Sequence, residues 1–200
     1  METLVNNAME WCEQFTRPLV VPLASWLPTP REPFLSTLQT ESPITHMAVS
    51  NDNQCVFCVK KDTNLTAYKI ASGEKVWETQ GHGLAEVTCI MASYDNNFIV
   101  TGAADKTAIH WCASKGDKLH TYEGHVGKVT SVCIMHNNKY VITGSSDAKA
   151  RYFSRDKLEY TLEGHKKSIV ALAVNKHDDV LITASVDHTL RVIICRICQH

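Results

Sequence analysis

Aromatic residues make up only 8% of the 200-residue chain, the formal net charge is −1, and every apolar run is short. Near-zero net charge removes any general attraction to nucleic acid or to an anionic membrane surface. No run approaches the roughly 18 to 20 apolar residues of a membrane-spanning helix. There is no glycine-rich phosphate loop, dinucleotide fingerprint, His-Glu-x-x-His or lone activated nucleophile. The usual residues of phosphoryl transfer, hydride transfer and zinc proteolysis are therefore missing, and no cofactor is expected. The opening METLVNNAMEWCEQF has acidic flanks and no apolar stretch of useful length, unlike a signal peptide. Eight cysteines are present, but Cys55, Cys58, Cys89 and Cys133 sit inside apolar runs as small core residues do. That usage fits a reducing compartment, and the expected location is the cytoplasm, with the nucleus as the alternative.

What the chain does have is 44% hydrophobic and 20% charged residues, enough for one real core. Its charge is unevenly spread, with 6 basic against 11 acidic residues in 1–100 and 14 against 10 in 101–200. It also repeats. Gly-His occurs at 81–82, 124–125 and 164–165, and an aspartate follows each histidine by 23, 22 and 22 residues, at Asp105, Asp147 and Asp187. A period near 40 residues is the signature of a repeat architecture. The contexts Thr101-Gly-Ala-Ala-Asp105, Thr143-Gly-Ser-Ser-Asp147 and Thr183-Ala-Ser-Val-Asp187 agree. A more divergent copy precedes them, with Thr40, Cys58 and Asp62 at the His, Thr and Asp positions. Six residues past each Asp stands a bulky side chain: Tyr68, Trp111, Phe153 or Ile193.

Within each copy, apolar runs of four to seven residues alternate with turn formers, which predicts a four-stranded antiparallel meander. Strand a is expected at 44–49, 87–92, 129–134 and 169–174, and strand b at 54–59, 98–102, 140–144 and 180–184. Asn- and Asp-rich segments separate them, such as Asn51-Asp52-Asn53 and Asp95-Asn96-Asn97. Strand a is nearly continuous in apolar residues, which predicts burial on both faces, as in stacked blades.

The pattern Gly-His, Thr-Gly-x-x-Asp, Lys-Thr-x-x-x-Trp resembles the WD40 family over about residues 33–196. The resemblance implies an all-β, four-bladed β-propeller in which His, Thr, Asp and Trp form a hydrogen-bonded tetrad. His82, Thr101, Asp105 and Trp111 match it fully; His125, Thr143 and Asp147, and His165, Thr183 and Asp187, match it without the Trp. The naming Trp-Asp dipeptide is absent, since Cys112, Ser154 and Ile194 follow, so the repeats are divergent. A segment or isoform of a larger WD-repeat protein, such as a NACHT-and-WD type, is one expectation and an independent four-blade ring another. A catalytic triad is needed once, whereas this constellation recurs three times, so no catalytic residue is expected.

The implied function is a non-catalytic scaffold presenting one propeller face to a protein or peptide, with Glu86, Ala104, Lys128, Ser146, Lys167 and Val186 at the contact positions. Lysines 128, 149, 166 and 167 around those turns suit an acidic or phosphorylated ligand. Alternatives are a regulatory sensor segment of a multidomain ATPase and a nucleic-acid-binding propeller. Self-association follows if the ring is incomplete. Residues 1–32 are expected to form a short amphipathic helix, apolar at 4, 5, 8, 9, 12 and 15, and a proline-rich linker; 33–200 form the propeller. The outer strand d expected at 34–37 would pair with a last strand at 191–195 and close the fourth blade. Two Cys-x-x-Cys pairs invite a metal reading. Cys55 and Cys58 lie on opposite faces of a strand, and Cys195, Cys198 and His200 offer three ligands where zinc takes four, so no metal is expected.

Overall fold

The computed structural model describes residues 37, 39–154 and 157–195. The expected helix and linker, most of the outer strand expected at 34–37, and Cys198 and His200 lie outside the described residues. Among the described residues, fifteen strands form four antiparallel sheets, three of four strands and one of three. The first contains β1 (Ile44–Val49), β2 (Cys55–Lys60), β3 (Asn64–Lys69) and β4 (Lys75–Gln80). The second contains β5 (Val87–Ala92), β6 (Phe98–Ala103), β7 (Ala108–Cys112) and β8 (Lys118–Tyr122). The third contains β9 (Val129–Ile134), β10 (Tyr140–Ser145), β11 (Ala150–Ser154) and β12 (Lys157–Leu162). The fourth contains β13 (Ile169–Val174), β14 (Val180–Ser185) and β15 (Leu190–Ile194). Each is a plain meander in chain order, and the four are WD-like blades of a β-propeller.

Two turns recur in every blade. Between strands a and b, Asn53, Asn96, Asn138 and Asp178 take φ of 58°, 60°, 56° and 60°, a left-handed conformation that Asn and Asp tolerate best among side-chain-bearing residues. Between b and c, the residue after each aspartate does the same: Thr63, Lys106, Ala148 and His188 at 69°, 72°, 65° and 67°. Such residues lose roughly 1 kcal/mol there relative to glycine. The preceding carboxylate offsets this by accepting the amide two residues on, from Asn64 at 3.2 Å, Thr107 at 2.9 Å, Lys149 at 3.0 Å and Thr189 at 3.0 Å.

Each blade has a front face toward the preceding blade and a rear face toward the next. Phe57, Val59, Leu65 and Ala67 on the rear of blade one pack with Ile99 and Trp111 on the front of blade two. Phe98, Val100, Ala108 and Tyr122 meet Ile134, Val141 and Phe153 in the same way, and Ile142 and Tyr152 meet Leu181. Thr88 Oγ1 links two blades: its single proton is shared between Gly102 O in its own sheet at 3.0 Å and Val129 O in the next at 2.5 Å, the shorter contact. Thr130 repeats this with Gly144 O and Ile169 O at 3.0 and 2.5 Å. Glycine is needed opposite. A Cβ at Gly102 would lie 2.5 Å from Val129 Cγ1, and one at Gly144 2.8 Å from Ile169 Cγ2.

The expectation that every strand a is buried on both faces needs correction. Strand β9 is mostly buried, but β1 is exposed at Ile44, Met47 and Val49, and β13 at Val170. Apolar composition recurs in every copy, whereas burial also needs a neighbouring blade, and the outer faces of the first and last blades have none among the described residues.

Candidate functional site

The loops joining strand d to strand a and the turns joining b to c share one edge of the blades. On it the repeated histidines, threonines and aspartates meet. In blade two, the Trp111 indole N–H donates to Thr101 Oγ1 at 2.8 Å, His82 Nε2 lies 2.8 Å from the same hydroxyl, and His82 Nδ1 lies 2.8 Å from Asp105 Oδ2. One proton arrangement satisfies all four groups. The indole donates to the hydroxyl, the hydroxyl to Nε2, and Nδ1–H to the carboxylate, leaving a neutral imidazole. Burial pushes the His82 pKa down, with the Asp105 contacts opposing, which agrees with that state. Gly81 makes room for the indole, since a Cβ there would sit 1.8 Å from Trp111 Cη2.

Blades three and four keep the His, Thr and Asp but solve the remainder differently. His125 bridges Asp147 at 2.9 Å and Thr143 at 2.8 Å; His165 bridges Asp187 at 3.0 Å and Thr183 at 2.8 Å. Phe153, standing for the Trp, brings no donor. Instead Arg151 donates to Asp147 Oδ2 at 3.0 Å and touches His125 Nδ1. Burial alone would raise the Asp147 pKa, but His125, the Val126 amide and Arg151 hold it at about 2. In blade four Thr189 serves Asp187 at 2.6 Å, while Arg191 donates to Gly164 O at 2.6 Å. The lost network of blade one has a partial substitute: Ser42 Oγ donates to Asp62 Oδ2 at 3.1 Å, while Thr40 donates to Ser42 O at 2.8 Å and Cys58 is buried. Neither Ser42 nor Arg151 stands at a position of the repeated motif, so the spacing could not single them out.

Of the residues expected at a partner surface, Glu86, Ala104, Lys128, Lys167 and Val186 are exposed and Ser146 is half-buried. Backbone bonds tie them in pairs, Ala104 N to Glu86 O at 2.8 Å and Ser146 N to Lys128 O at 2.9 Å. Val186 N pairs with Ser168 O at 2.9 Å, so Ser168 rather than Lys167 holds the position equivalent to Glu86 and Lys128. Lys149 is engaged by Glu163 at 2.6 Å, while Lys128, Lys166 and Lys167 enter no ion pair among the described residues. The sequence reading passed over two apolar residues on this edge, Leu84 and Val126, which are 95% and 74% exposed. A cleft of about 310 Å³ lies beside Leu84, lined also by Thr45, Lys60, Lys61, Thr63, Glu86 and Val87. Another, of about 560 Å³, lies near the opposite edge between blades two and three, lined by Phe98, His110, Tyr122 and Tyr140 among others. There burial, with nearby His120, drives the His110 pKa to about 4.

The family model described as WD domain, G-beta repeat matches residues 73–112, 116–154 and 156–193. Among curated proteins, the chain is 34% identical over 83 residues to eukaryotic translation initiation factor 3 subunit I of Meyerozyma guilliermondii, covering 42% of this chain and 24% of that protein. It is 35% identical over 79 residues to the Homo sapiens protein of the same name, covering 40% and 24%. The matched region thus spans about a quarter of those relatives. Among solved structures, the computationally designed Ika4 protein superposes with a TM-score of 0.71 at 25% identity, covering 82% of this chain and 98% of that one.

Proposed function

The chain belongs to the WD40 family, and from that premise we propose that it is a non-catalytic scaffold whose loop edge receives a protein or peptide partner. The observation that carries the reading is the edge itself, where Leu84, Val126 and Val186 stand exposed beside three lysines without ion-pair partners among the described residues. Apolar anchors set among cations suit a segment with apolar side chains and acidic or phosphorylated neighbours. Against catalysis stands the burial of Thr101, Thr143 and Thr183, whose hydroxyls no substrate reaches. The relatives are, by name, subunits of a larger factor, which supports a cytoplasmic protein partner within an assembly.

The test is affinity capture with the full chain and with a Leu84→Asp, Val126→Asp, Val186→Asp variant, read by quantitative mass spectrometry. A protein set captured by the wild type and lost from the folded variant is expected. Identical capture by both overturns the loop edge as the binding face.

A further inference from the structure

Two of the joints between blades are bridged by an aromatic side chain. The Trp77 indole N–H of blade one donates to Ala113 O of blade two at 2.9 Å, and Tyr152 OH of blade three lies 3.0 Å from Cys195 Sγ of blade four. Ala113 and Cys195 occupy one repeat position. In blade two, His110 stands at the repeat position of Tyr152, yet its Nδ1 lies 2.9 Å from Tyr122 OH in its own blade. The joint between blades two and three keeps a cleft of about 560 Å³ beside this pair. Small-molecule sites are typically of roughly 300 to 1,000 Å³.

The lining defines what fits. Phe98, His110, Tyr122 and Tyr140 bring four rings to the wall, with Phe98 and His110 4.2 Å apart between centroids. A phenol donating to Nδ1 leaves the imidazole proton on Nε2, which has no partner among the described residues. Burial, with His120 nearby, holds the His110 pKa at about 4, so that imidazole is neutral. Among the described lining residues the one charge is then Lys139, which is exposed and in no ion pair among the described residues. Asp95, whose charge reaches His110, already accepts from the Ser93 hydroxyl at 2.6 Å and the Asn97 amide at 3.1 Å.

We propose that this cleft binds a small planar aromatic carboxylate, its ring among Phe98, His110, Tyr122 and Tyr140 and its carboxylate on the Lys139 ammonium. Flat rings pack against aromatic walls in offset or edge-on arrangements. The faces of those walls are negative, so an anionic group belongs away from them, beside the cation. The Nε2–H of His110 and the hydroxyl of Ser154, also on the wall, are available to a polar atom on the ligand's ring. An aliphatic acid would gain the ion pair without the ring contacts, and an aromatic cation would meet Lys139 as a like charge.

Titration of the full chain with 2-naphthoate, 2-naphthamide and cyclohexanecarboxylate, followed by two-dimensional NMR, tests this. The naphthoate should give saturable shifts centred on Phe98, His110, Tyr122 and Tyr140, and the other two compounds should bind at least roughly tenfold more weakly. Lys139→Glu should weaken naphthoate by a similar factor and leave naphthamide unchanged, whereas Ser154→Phe, which fills the cleft, should abolish both. Lys139 is exposed, so its variant keeps the fold and reports on binding whatever Ser154→Phe does to stability. The Leu84→Asp, Val126→Asp, Val186→Asp variant should bind naphthoate as the wild type does, which separates this site from the loop edge. A wild type showing no saturable shift overturns the proposal. Equal affinity for naphthoate and naphthamide, or naphthoate binding unchanged in Lys139→Glu, overturns it too, since the cation would then play no part.

Discussion

The four aspartates occupy one repeat position in four different surroundings, so their removal should have graded effects. Asp147 is almost fully buried and holds both His125 and Arg151. Replacing it with alanine strands a buried guanidinium and should destabilise by about 3 to 5 kcal/mol. Asp105→Ala, which leaves His82 and the turn amide unpaired at a partly exposed site, should cost about 2 to 4 kcal/mol. Asp62→Ala, which removes exposed hydrogen bonds to Ser42 and Asn64, should cost under about 1 kcal/mol. Equal melting temperatures for the three would refute the role assigned to the histidine network. The pH dependence has a definite sign. Burial holds His82, His125 and His110 below the ordinary 6.5, His110 at about 4. The unfolded chain therefore takes up protons that the folded chain refuses, so stability is full above about pH 6.5 and declines as the pH falls toward 4. The low Asp147 pKa adds a loss only below its ordinary 3.8. Melting temperature should thus drop between pH 7 and 4, and His110→Phe should flatten part of that slope. The His, Thr and Asp positions were legible in the sequence because a fixed spacing repeats three times. Arg151 was not, because a cation that replaces an indole's contribution arrives from a different strand position.

At the scale of the strand and the joint, the turn after each aspartate and the glycine opposite each linking threonine make opposite demands on side-chain size. Ala148, at φ 65°, gains nothing from its methyl in a left-handed turn. Ala148→Gly should stabilise by about 0.5 to 1 kcal/mol, measured by denaturant unfolding with an unchanged m-value. Gly144→Ala should do the reverse by about 1 to 3 kcal/mol, because its Cβ must displace Ile169 and Ser131. Thr130→Val should cost about 1 kcal/mol by deleting the bond to Ile169 O. The strands themselves were readable to within about one residue: those expected at 44–49, 87–92, 129–134 and 169–174 are β1, β5, β9 and β13. Alternating apolar runs and Asn-rich turns are local features, so a single sequence carries them. A joint is not local. Nothing in the order of residues marks Thr88 as a donor to a carbonyl 41 positions away.

For the whole molecule, the blades differ in how many neighbours they have. Among the described residues, blades two and three have a neighbouring blade on both sides, and blades one and four on one. Amide hydrogen exchange should therefore be slowest in β6, β7, β10 and β11 and faster in β1 and β15. Uniform protection across all four blades would contradict this ordering. Which faces have a neighbouring blade among the described residues was not legible in the sequence, because blades one and four carry the same apolar pattern as blades two and three. The stacking also has a consequence in time. Each blade's strand a packs against the blade just before it, as β5, β9 and β13 do on β1, β5 and β9. A ribosome extending the chain at roughly 5 to 20 residues per second delivers one such unit of about 40 residues every 2 to 8 s. Each newly emerged strand a, from β5 to β13, finds the surface it needs already made.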